Sequence, residues 1–250
     1  MNPKLLAVAT LVMISGLVMA APSFALAGKT DAPGAATGHT VMVLKRQSSR
    51  AAFCSGVVVA DRTILTAGHC VAGATGVAVY VPDGGAPKLL TAQSVALHPG
   101  YVPNAIARRK RSIDLALVRT KDPFPPGLVP VSIAYDHVIQ QGTRLRIAGF
   151  GLQQEGVERG AGTLRSAILV VRAPLSSILI WMRGPTKAMA GACTGDSGGP
   201  VFSSDASSLV AISVWARGKG RRNCGDLTQA IRLGPQRAWI ESVLARWRAR

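Results

Sequence analysis

The chain has 250 residues, 48% of them hydrophobic, which is enough for one large or two small cores. Its 27 glycines and 15 prolines, with only 5% aromatic residues, favour many short strands joined by turns over a helical bundle. The formal net charge of +17 favours polyanionic partners such as nucleic acid, acidic polysaccharide or an anionic membrane surface. A charged surface without any such ligand explains the charge equally well.

Residues 1–25 have the features of a secretory signal peptide. Lys4 gives the positive start, residues 5–18 form an apolar run, and Ser23-Phe24-Ala25 offers the small residues that a signal peptidase reads. An uncleaved membrane anchor is the alternative. No later stretch reaches about 18 uninterrupted apolar residues, so we expect a soluble mature protein, secreted or periplasmic. The short signal and its direct processing site indicate a bacterial source.

The chain has four cysteines, at positions 54, 70, 193 and 224. Export would place them in a compartment where disulfides persist. Four cysteines allow three connectivities, and their spacing alone does not choose among these. A zinc site is the competing interpretation, but no CxxC or HExxH spacing supports it, and we expect neither a metal nor a cofactor.

Short apolar runs rich in valine and isoleucine, separated by turn residues, predict an all-β fold from about Thr40 onward. Examples of these runs are residues 40–44, 56–60, 77–81, 115–118, 145–148, 168–171, 178–182 and 209–214. A proline-rich cluster at residues 122–127 cannot continue a strand or a helix. It is the best candidate for a linker between two β units.

The C-terminal segment predicts a helix. Gly234-Pro235 suits a helix start, because proline is favoured at the first helical position. Ile240, Val243, Leu244 and Trp247 then form one apolar stripe at helical spacing. A helix docked on the β body is the interpretation that we favour, and a membrane-active basic helix is the alternative.

The motif Gly195-Asp196-Ser197-Gly198-Gly199-Pro200 places a serine on a backbone that can bend sharply. Its Gly-x-Ser-x-Gly pattern also matches the nucleophile elbow of the α/β-hydrolases. Those enzymes need a histidine after the serine, whereas the histidines here are at positions 39, 69, 98 and 137. Any base for Ser197 must therefore come from upstream.

Two upstream segments complete a pattern. Together with the serine motif, Thr66-Ala67-Gly68-His69-Cys70 and Asp114 in Ser112-Ile113-Asp114-Leu115 resemble the three signature segments of the chymotrypsin/trypsin family of serine proteases. The resemblance covers about residues 26–250. Further matches in family order are Cys54-Ser55-Gly56, His98-Pro99-Gly100-Tyr101, Gly149-Phe150-Gly151, Cys193, Trp215 and the C-terminal helix.

The resemblance implies a fold with two antiparallel six-stranded β-barrels, the active site between them and a C-terminal α-helix. The domains expected from it are the signal peptide at 1–25 and an activation N-terminus with the first barrel at 26–121. The linker, the second barrel and the C-terminal helix would occupy residues 122–250. Family pairing implies the disulfides Cys54–Cys70 and Cys193–Cys224.

The resemblance also implies a serine endopeptidase. Ser197 would attack the scissile carbonyl, His69 would take its proton and return it to the leaving amine, and Asp114 would hold the imidazole. The backbone N–H groups of Gly195 and Ser197 would form the oxyanion hole.

The N-terminus implies a mode of activation. The segment that begins at Leu26 resembles the family's Ile-Val-Gly-Gly start, whose freed α-ammonium pairs with the aspartate before the nucleophile, here Asp196. Such a buried ammonium needs a counter-charge. Cleavage after Ala25 would free Leu26 directly, without a separate activating protease.

The substrate pocket matches seven residues. Gly191 takes the position of the floor, where trypsin-like members carry aspartate, and the small residues Ala216 and Gly225 match the walls. We therefore expect a preference for medium to large apolar side chains before the scissile bond. Asp226 is the alternative source of a basic preference, because a shift of one residue would bring its carboxylate into the pocket. The remaining matched residues are Thr194, Val214 and Trp215.

The sequence departs from the family beside this pocket. Ser213-Val214-Trp215-Ala216 stands where the family shows Ser-Trp-Gly. The extra residue predicts that the serine which supports the catalytic aspartate is displaced.

Two basic clusters lie near the predicted site, Arg108-Arg109-Lys110-Arg111 and Lys219 with Arg221 and Arg222. They suit acidic substrate residues or a polyanion, and they lack the aromatic interleaving of a sequence-reading nucleic-acid module. The rival hypothesis is accordingly a catalytically silent, basic polyanion-binding protein on a protease scaffold. The presence of all three triad residues favours the protease.

Overall fold

The structure is a computed structural model that describes residues 26–28, 30–47, 50–81, 86–157, 161–185, 190–220 and 223–249. The signal segment predicted at residues 1–25 lies outside these ranges. Within them, no helix has the length and apolar character needed to cross a membrane. The first element of the described residues is the two-residue strand β1 (Ala27–Gly28).

A first closed barrel follows β1. Its strands are β2 (Thr40–Gln47), β3 (Arg50–Ala60), β4 (Thr63–Thr66), β5 (Gly76–Val81), β6 (Lys88–Leu97) and β7 (Ala116–Thr120). They are arranged in the order β2-β3-β4-β7-β6-β5, and neighbouring strands are antiparallel. In β2, Val41 and Val43 are fully buried and the residues after each of them are more exposed, as strand alternation requires.

A second closed barrel forms the other half of the molecule. Its strands are β8 (Arg144–Gly149), β9 (Arg165–Arg172), β10 (Leu179–Arg183), β12 (Pro200–Ser203), β13 (Leu209–Arg217) and β14 (Leu227–Arg232). Their order is β10-β14-β13-β12-β8-β9. Strand β11 (Ala190–Gly191) stays outside the barrel and pairs with β1. Two closed six-stranded antiparallel barrels confirm the predicted fold class, and the proline-rich residues 122–127 lie between β7 and β8.

The C-terminal helix α1 (Arg237–Arg248) starts two residues later than the sequence predicted. Gly234–Gln236 form a 3-10 turn instead, with the proline inside it. Ile240, Val243 and Trp247 are buried in the core that includes the first barrel, and Leu244 packs partly against the same core. The apolar stripe is thus covered by the protein itself, which confirms the docked helix over the membrane-active alternative.

Candidate active site

His69 lies on a short 3-10 turn (Gly68–Cys70) that follows β4. Asp114, two residues before β7, holds this turn through both of its carboxylate oxygens. Oδ2 lies 2.7 Å from His69 Nδ1, and Oδ1 accepts a hydrogen bond of 2.8 Å from the His69 backbone N–H. Because Nδ1 is engaged by a carboxylate, the imidazole turns Nε2 away from Asp114, as a general base requires.

Two further ties fix the histidine turn. The Cys54–Cys70 disulfide joins it to β3, as the family resemblance implied. Lys45, from β2, donates hydrogen bonds to the carbonyls of His69 at 3.0 Å and Ala72 at 2.8 Å. Sequence reasoning missed Lys45. A lysine near the end of a strand is usually solvent-exposed, and no local pattern indicates that its ammonium binds carbonyls 24 and 27 residues away.

Ser197 lies on a tight turn between β11 and β12. Gly195 and Gly198 adopt positive φ angles of 97° and 81°, which glycine tolerates and other residues avoid. The turn is closed by hydrogen bonds from Asp196 N to the Cys193 carbonyl and from Gly199 N to the Asp196 carbonyl. The sharp backbone bend that the glycines of the motif predicted is therefore present.

The histidine and the serine meet at the Cys54–Cys70 disulfide. Cys70 Sγ lies 3.7 Å from His69 Nε2 and 3.6 Å from the Ser197 carbonyl oxygen. No hydrogen bond joins Ser197 Oγ to His69 Nε2 within the described residues. A contact between nucleophile and base is often longer in a free enzyme than in a substrate complex. The fold thus pairs Asp114 with His69 and brings the Ser197 backbone to the same disulfide, whereas the catalytic contact of Ser197 Oγ with His69 stays a prediction.

Asp196 is fully buried directly before the nucleophile. Its carboxylate accepts hydrogen bonds from the backbone N–H groups of Gly151 (2.8 Å) and Cys193 (2.9 Å). Burial nevertheless raises the pKa of Asp196 to about 7, against the lowering effect of those two bonds and of the Arg165 guanidinium. Leu26, its predicted partner, is also fully buried and packs in the core of the second barrel.

Glycines make room for this carboxylate. A Cβ on Gly149 would lie 2.3 Å from Asp196 Oδ1, and a Cβ on Gly151 would lie 2.4 Å from Asp196 Cγ. No real side chain tolerates such contacts, so the Gly149-Phe150-Gly151 segment is shaped by the buried aspartate. From the sequence alone, this segment matched the family only by its place in the order of motifs.

The extra residue before Trp215 forms a β-bulge. In the ladder between β13 and β14, Ser213 pairs with Ala230 and Trp215 with Gln229, so Val214 has no partner of its own. Ser213 Oγ is buried and has no hydrogen-bond partner. As the departure from the family predicted, this serine does not support Asp114.

The residues predicted for the pocket floor and walls lie together. A Cβ on Gly191 would be 3.1 Å from Thr228 Oγ1 and 3.2 Å from the carbonyl carbon of Gly225. Thr228 is fully buried and pairs with Ala216 across the β13–β14 ladder. Sequence reasoning missed Thr228, whose hydroxyl lies beside Gly191 and accepts a hydrogen bond of 2.9 Å from Ala192 N.

Asp226 has a basic partner of its own. Arg183 Nη1 lies 2.9 Å and 3.1 Å from the two oxygens of Asp226, whose side chain is 16% exposed.

The other residues predicted for the pocket differ in exposure. Trp215 and Ala216 are half-buried and Val214 is buried. Thr194 is exposed, and its carbonyl accepts a hydrogen bond from Leu152 N. The second implied disulfide, Cys193–Cys224, is present beside them.

Among the described residues, one group has the composition of a metal site. Ligand atoms of Cys54, His69 and Cys70 lie within 4.8 Å of one another. Both sulfurs belong to the disulfide and are unable to bind a metal as thiolates. The group therefore does not fit a zinc site.

Comparison with known sequences gives a consistent set of relatives. Transmembrane protease serine 9 of Rattus norvegicus is 28% identical over 192 residues, which are 66% of this chain and 17% of that protein. Trypsin 5G1 of Aedes aegypti is 28% identical over 211 residues, 76% of this chain and 75% of its own. Vitamin K-dependent protein C of Mus musculus is 25% identical over 228 residues, 79% of this chain and 47% of its own. These are animal proteins, so they give no support to the expected bacterial source.

Solved structures show the same fold. A structure described as that of GrC superposes with a TM-score of 0.72 at 18% identity and covers 87% of this chain and 98% of its own. A structure of human heparin binding protein gives 0.69 at 19% identity, with 88% and 96% covered. The family model described as Trypsin matches residues 27–240. The chain therefore belongs to the trypsin family.

Proposed function

We propose that this protein is a secreted serine endopeptidase, which acts through Ser197, His69 and Asp114 and prefers apolar residues before the scissile bond. The observation that carries the proposal is the double contact of Asp114 with His69, at 2.7 Å to the ring and 2.8 Å to the backbone. This contact holds Nδ1 of the imidazole on the carboxylate, which is the arrangement that a general base for a nucleophilic serine needs.

The chemistry follows from this arrangement. Ser197 Oγ attacks the substrate carbonyl carbon while His69 Nε2 takes its proton, and Asp114 stabilises the resulting imidazolium. The tetrahedral intermediate collapses to an acyl-enzyme as His69 returns the proton to the leaving amine. Water then attacks the ester with His69 again as the base, which releases the acid and restores Ser197. The N–H groups of Gly195 and Ser197 would stabilise the oxyanion in both halves.

Labelling with a fluorophosphonate tests the reaction. The probe is expected to modify the chain at Ser197, because the reagent needs an activated serine and an oxyanion hole. Ser197→Ala should abolish labelling, and Ser207→Ala, at an exposed serine on the turn between β12 and β13, should leave it unchanged. The readout is the fluorescence of the labelled band and the mass of the modified peptide. No Ser197-dependent labelling in a folded chain would reject the protease.

The pocket supports an apolar preference. Gly191 brings no charge to the floor, and Arg183 pairs with Asp226, the carboxylate that the sequence offered as the alternative source of a basic preference. Thr228 narrows the space beside Gly191. We therefore favour medium-sized side chains such as valine and leucine over phenylalanine, within the apolar class that the sequence predicted.

Chromogenic peptides ending in Val, Leu, Phe and Arg test this preference. The Leu and Val peptides should give the highest kcat/KM, and the Arg peptide a value lower by at least about tenfold. Arg183→Met should raise turnover of the Arg peptide, because it leaves the Asp226 carboxylate without its cation. Arg144→Met, at an exposed residue of β8, is the matched control. Fast turnover of the Arg peptide alone by the parent protein would contradict the apolar preference.

A polyanion-binding protein is the second candidate. The net charge of +17 and the exposed residues from Arg108 to Arg111 favour it, and one structural neighbour is described as a heparin binding protein. Of the other cluster, Lys219 is exposed, and Arg221 and Arg222 lie outside the described residues. The two candidates are separated by the labelling experiment, since polyanion binding needs no reactive serine.

A further inference from the structure

Ser55 is a fully buried residue of the first barrel whose hydrogen bonds reach the second barrel. Its hydroxyl donates to the Gly195 carbonyl at 2.9 Å and accepts from the Phe150 backbone N–H at 3.0 Å. Its own backbone N–H donates to the Ser197 carbonyl at 2.8 Å. One residue of β3 therefore contacts both residues that would supply the oxyanion hole, across 140 positions of sequence.

Phe53 reinforces this contact. It lies two residues before Ser55 in β3 and so faces the same side of the strand. A Cβ on Gly195 would lie 2.3 Å from Phe53 Cε2, so the ring packs closely on the Gly195 α-carbon. β3 thus covers Gly195 with one side chain and binds its carbonyl with the next on that face.

Gly195 needs such support because its backbone is not in a common conformation. Its φ of 97° is accessible to glycine, but glycine also has the widest choice of alternatives. Rotation about the bonds of Gly195 would redirect its N–H away from a bound oxyanion. The Gly195 N–H shares its peptide plane with the Thr194 carbonyl, which accepts a hydrogen bond of 2.7 Å from Leu152 N. The bond from Ser55 Oγ holds the following peptide plane through the Gly195 carbonyl. With both planes held, rotation about the backbone bonds of Gly195 is opposed, and loss of the Ser55 bond would free one of the two planes.

We propose that Ser55 is a positioning residue for the oxyanion hole, which locks the Gly195 backbone in the orientation that aims its N–H at the substrate oxygen. The inference rests on the proposed protease function. It adds a residue of the first barrel to an oxyanion hole whose N–H donors both belong to the second. Ser55 touches no reacting atom, so its effect is exerted through Gly195 and Ser197.

Kinetics of the full chain test the proposal. Ser55→Ala should lower kcat by about 10- to 100-fold, less than the full loss of an oxyanion donor, and leave KM within about threefold. A peptide aldehyde, which forms a tetrahedral adduct on Ser197, should lose affinity by the same factor as kcat. The matching peptide amide, a ground-state ligand, should bind as before. Ser55→Thr, which keeps the hydroxyl, should recover most of the loss.

A buried hydroxyl elsewhere in the first barrel provides the control. Thr40 is buried and donates through Oγ1 to the Ala36 carbonyl at 2.8 Å, far along the chain from the serine turn. Thr40→Val should reduce stability without changing kcat or aldehyde affinity. The two variants are compared at an equal loss of unfolding free energy. If Ser55→Ala and Thr40→Val then lower kcat equally, Ser55 only stabilises the fold.

Amide hydrogen exchange gives a readout that does not depend on activity. In Ser55→Ala, exchange at the Phe150 amide and across residues 195–198 should accelerate by about tenfold or more, with the rest of the barrels unchanged. Unchanged exchange at these amides would overturn the inference even if the chain is an active protease. Exchange could accelerate in Ser55→Ala while the parent chain shows no Ser197-dependent labelling. That result would support the contact of Ser55 with the serine turn and reject the proposed protease function.

Discussion

Ser213 is a buried serine whose hydroxyl has no hydrogen-bond partner. The family resemblance implied that a serine at this point supports the catalytic aspartate. Two observations explain why it does not. The bulge at Val214 displaces the strand, and the two oxygens of Asp114 already bind the ring and the backbone of His69. The hydroxyl is left with its desolvation cost and no compensating bond.

Ser213→Ala should therefore have little effect on catalysis and should stabilise the fold slightly. We expect kcat/KM within about threefold of the parent, and an unfolding free energy that is unchanged or higher by up to about 1 kcal/mol. Asp114→Asn is the contrast, because the wrong imidazole tautomer should lower kcat by about 10⁴-fold. Peptide hydrolysis and urea unfolding provide the two measurements. A tenfold loss of kcat/KM in Ser213→Ala would show that the hydroxyl does reach the triad.

The 3-10 turn that carries His69 has only three residues, so it makes few internal hydrogen bonds and depends on other elements for its stability. Lys45 supplies part of the missing support through the carbonyls of His69 and Ala72. Lys45→Met should lower the unfolding free energy by about 1–3 kcal/mol and lower kcat more than KM, because the base loses its fixed position. Lys45→Arg keeps a donor and should restore most of the activity. A loss of stability with kcat unchanged would mean that the turn is held by Asp114 and the disulfide alone.

At this scale the sequence predicted elements well where their side chains decide the structure. All eight named apolar runs overlap strands of the barrels, and the stripe of α1 identified the helix. Four barrel strands, β4, β6, β12 and β14, were not among those runs. In β6, Leu90 is buried, but Leu89, Val95 and Leu97 are exposed, so its apolar residues do not mark one inward face. It is held instead by backbone pairing with β5 and β7. The motifs identified the triad, while the contacts of Ser55 and Lys45 depend on tertiary structure that no local pattern encodes.

At the scale of the whole molecule, the buried carboxylate of Asp196 lies where Ser55 of the first barrel reaches the second. Asp196 is fully buried, and its pKa is raised to about 7 from an ordinary value of 3.8. The groups that oppose this rise are the N–H groups of Cys193 and Gly151 and the Arg165 guanidinium, which is itself buried. An α-ammonium on Leu26 is the further partner that we propose, and it would favour the ionised carboxylate.

The pH dependence of stability distinguishes a chain that starts at Leu26 from one extended by Ala25. A carboxyl group whose pKa is raised on folding contributes stability below about pH 4, and this contribution is lost as the pH rises through about 7. In the extended chain, the unfolding free energy should therefore fall by about 4 kcal/mol between pH 4 and pH 8, relative to Asp196→Asn. In the chain that starts at Leu26, the ammonium should lower the pKa of Asp196 and reduce that loss of unfolding free energy.

Urea unfolding of both chains between pH 4 and pH 8 measures this difference. Identical pH profiles would show that the Leu26 ammonium does not reach Asp196, and N-terminal sequencing that finds Gly28 as the first residue would remove the partner altogether.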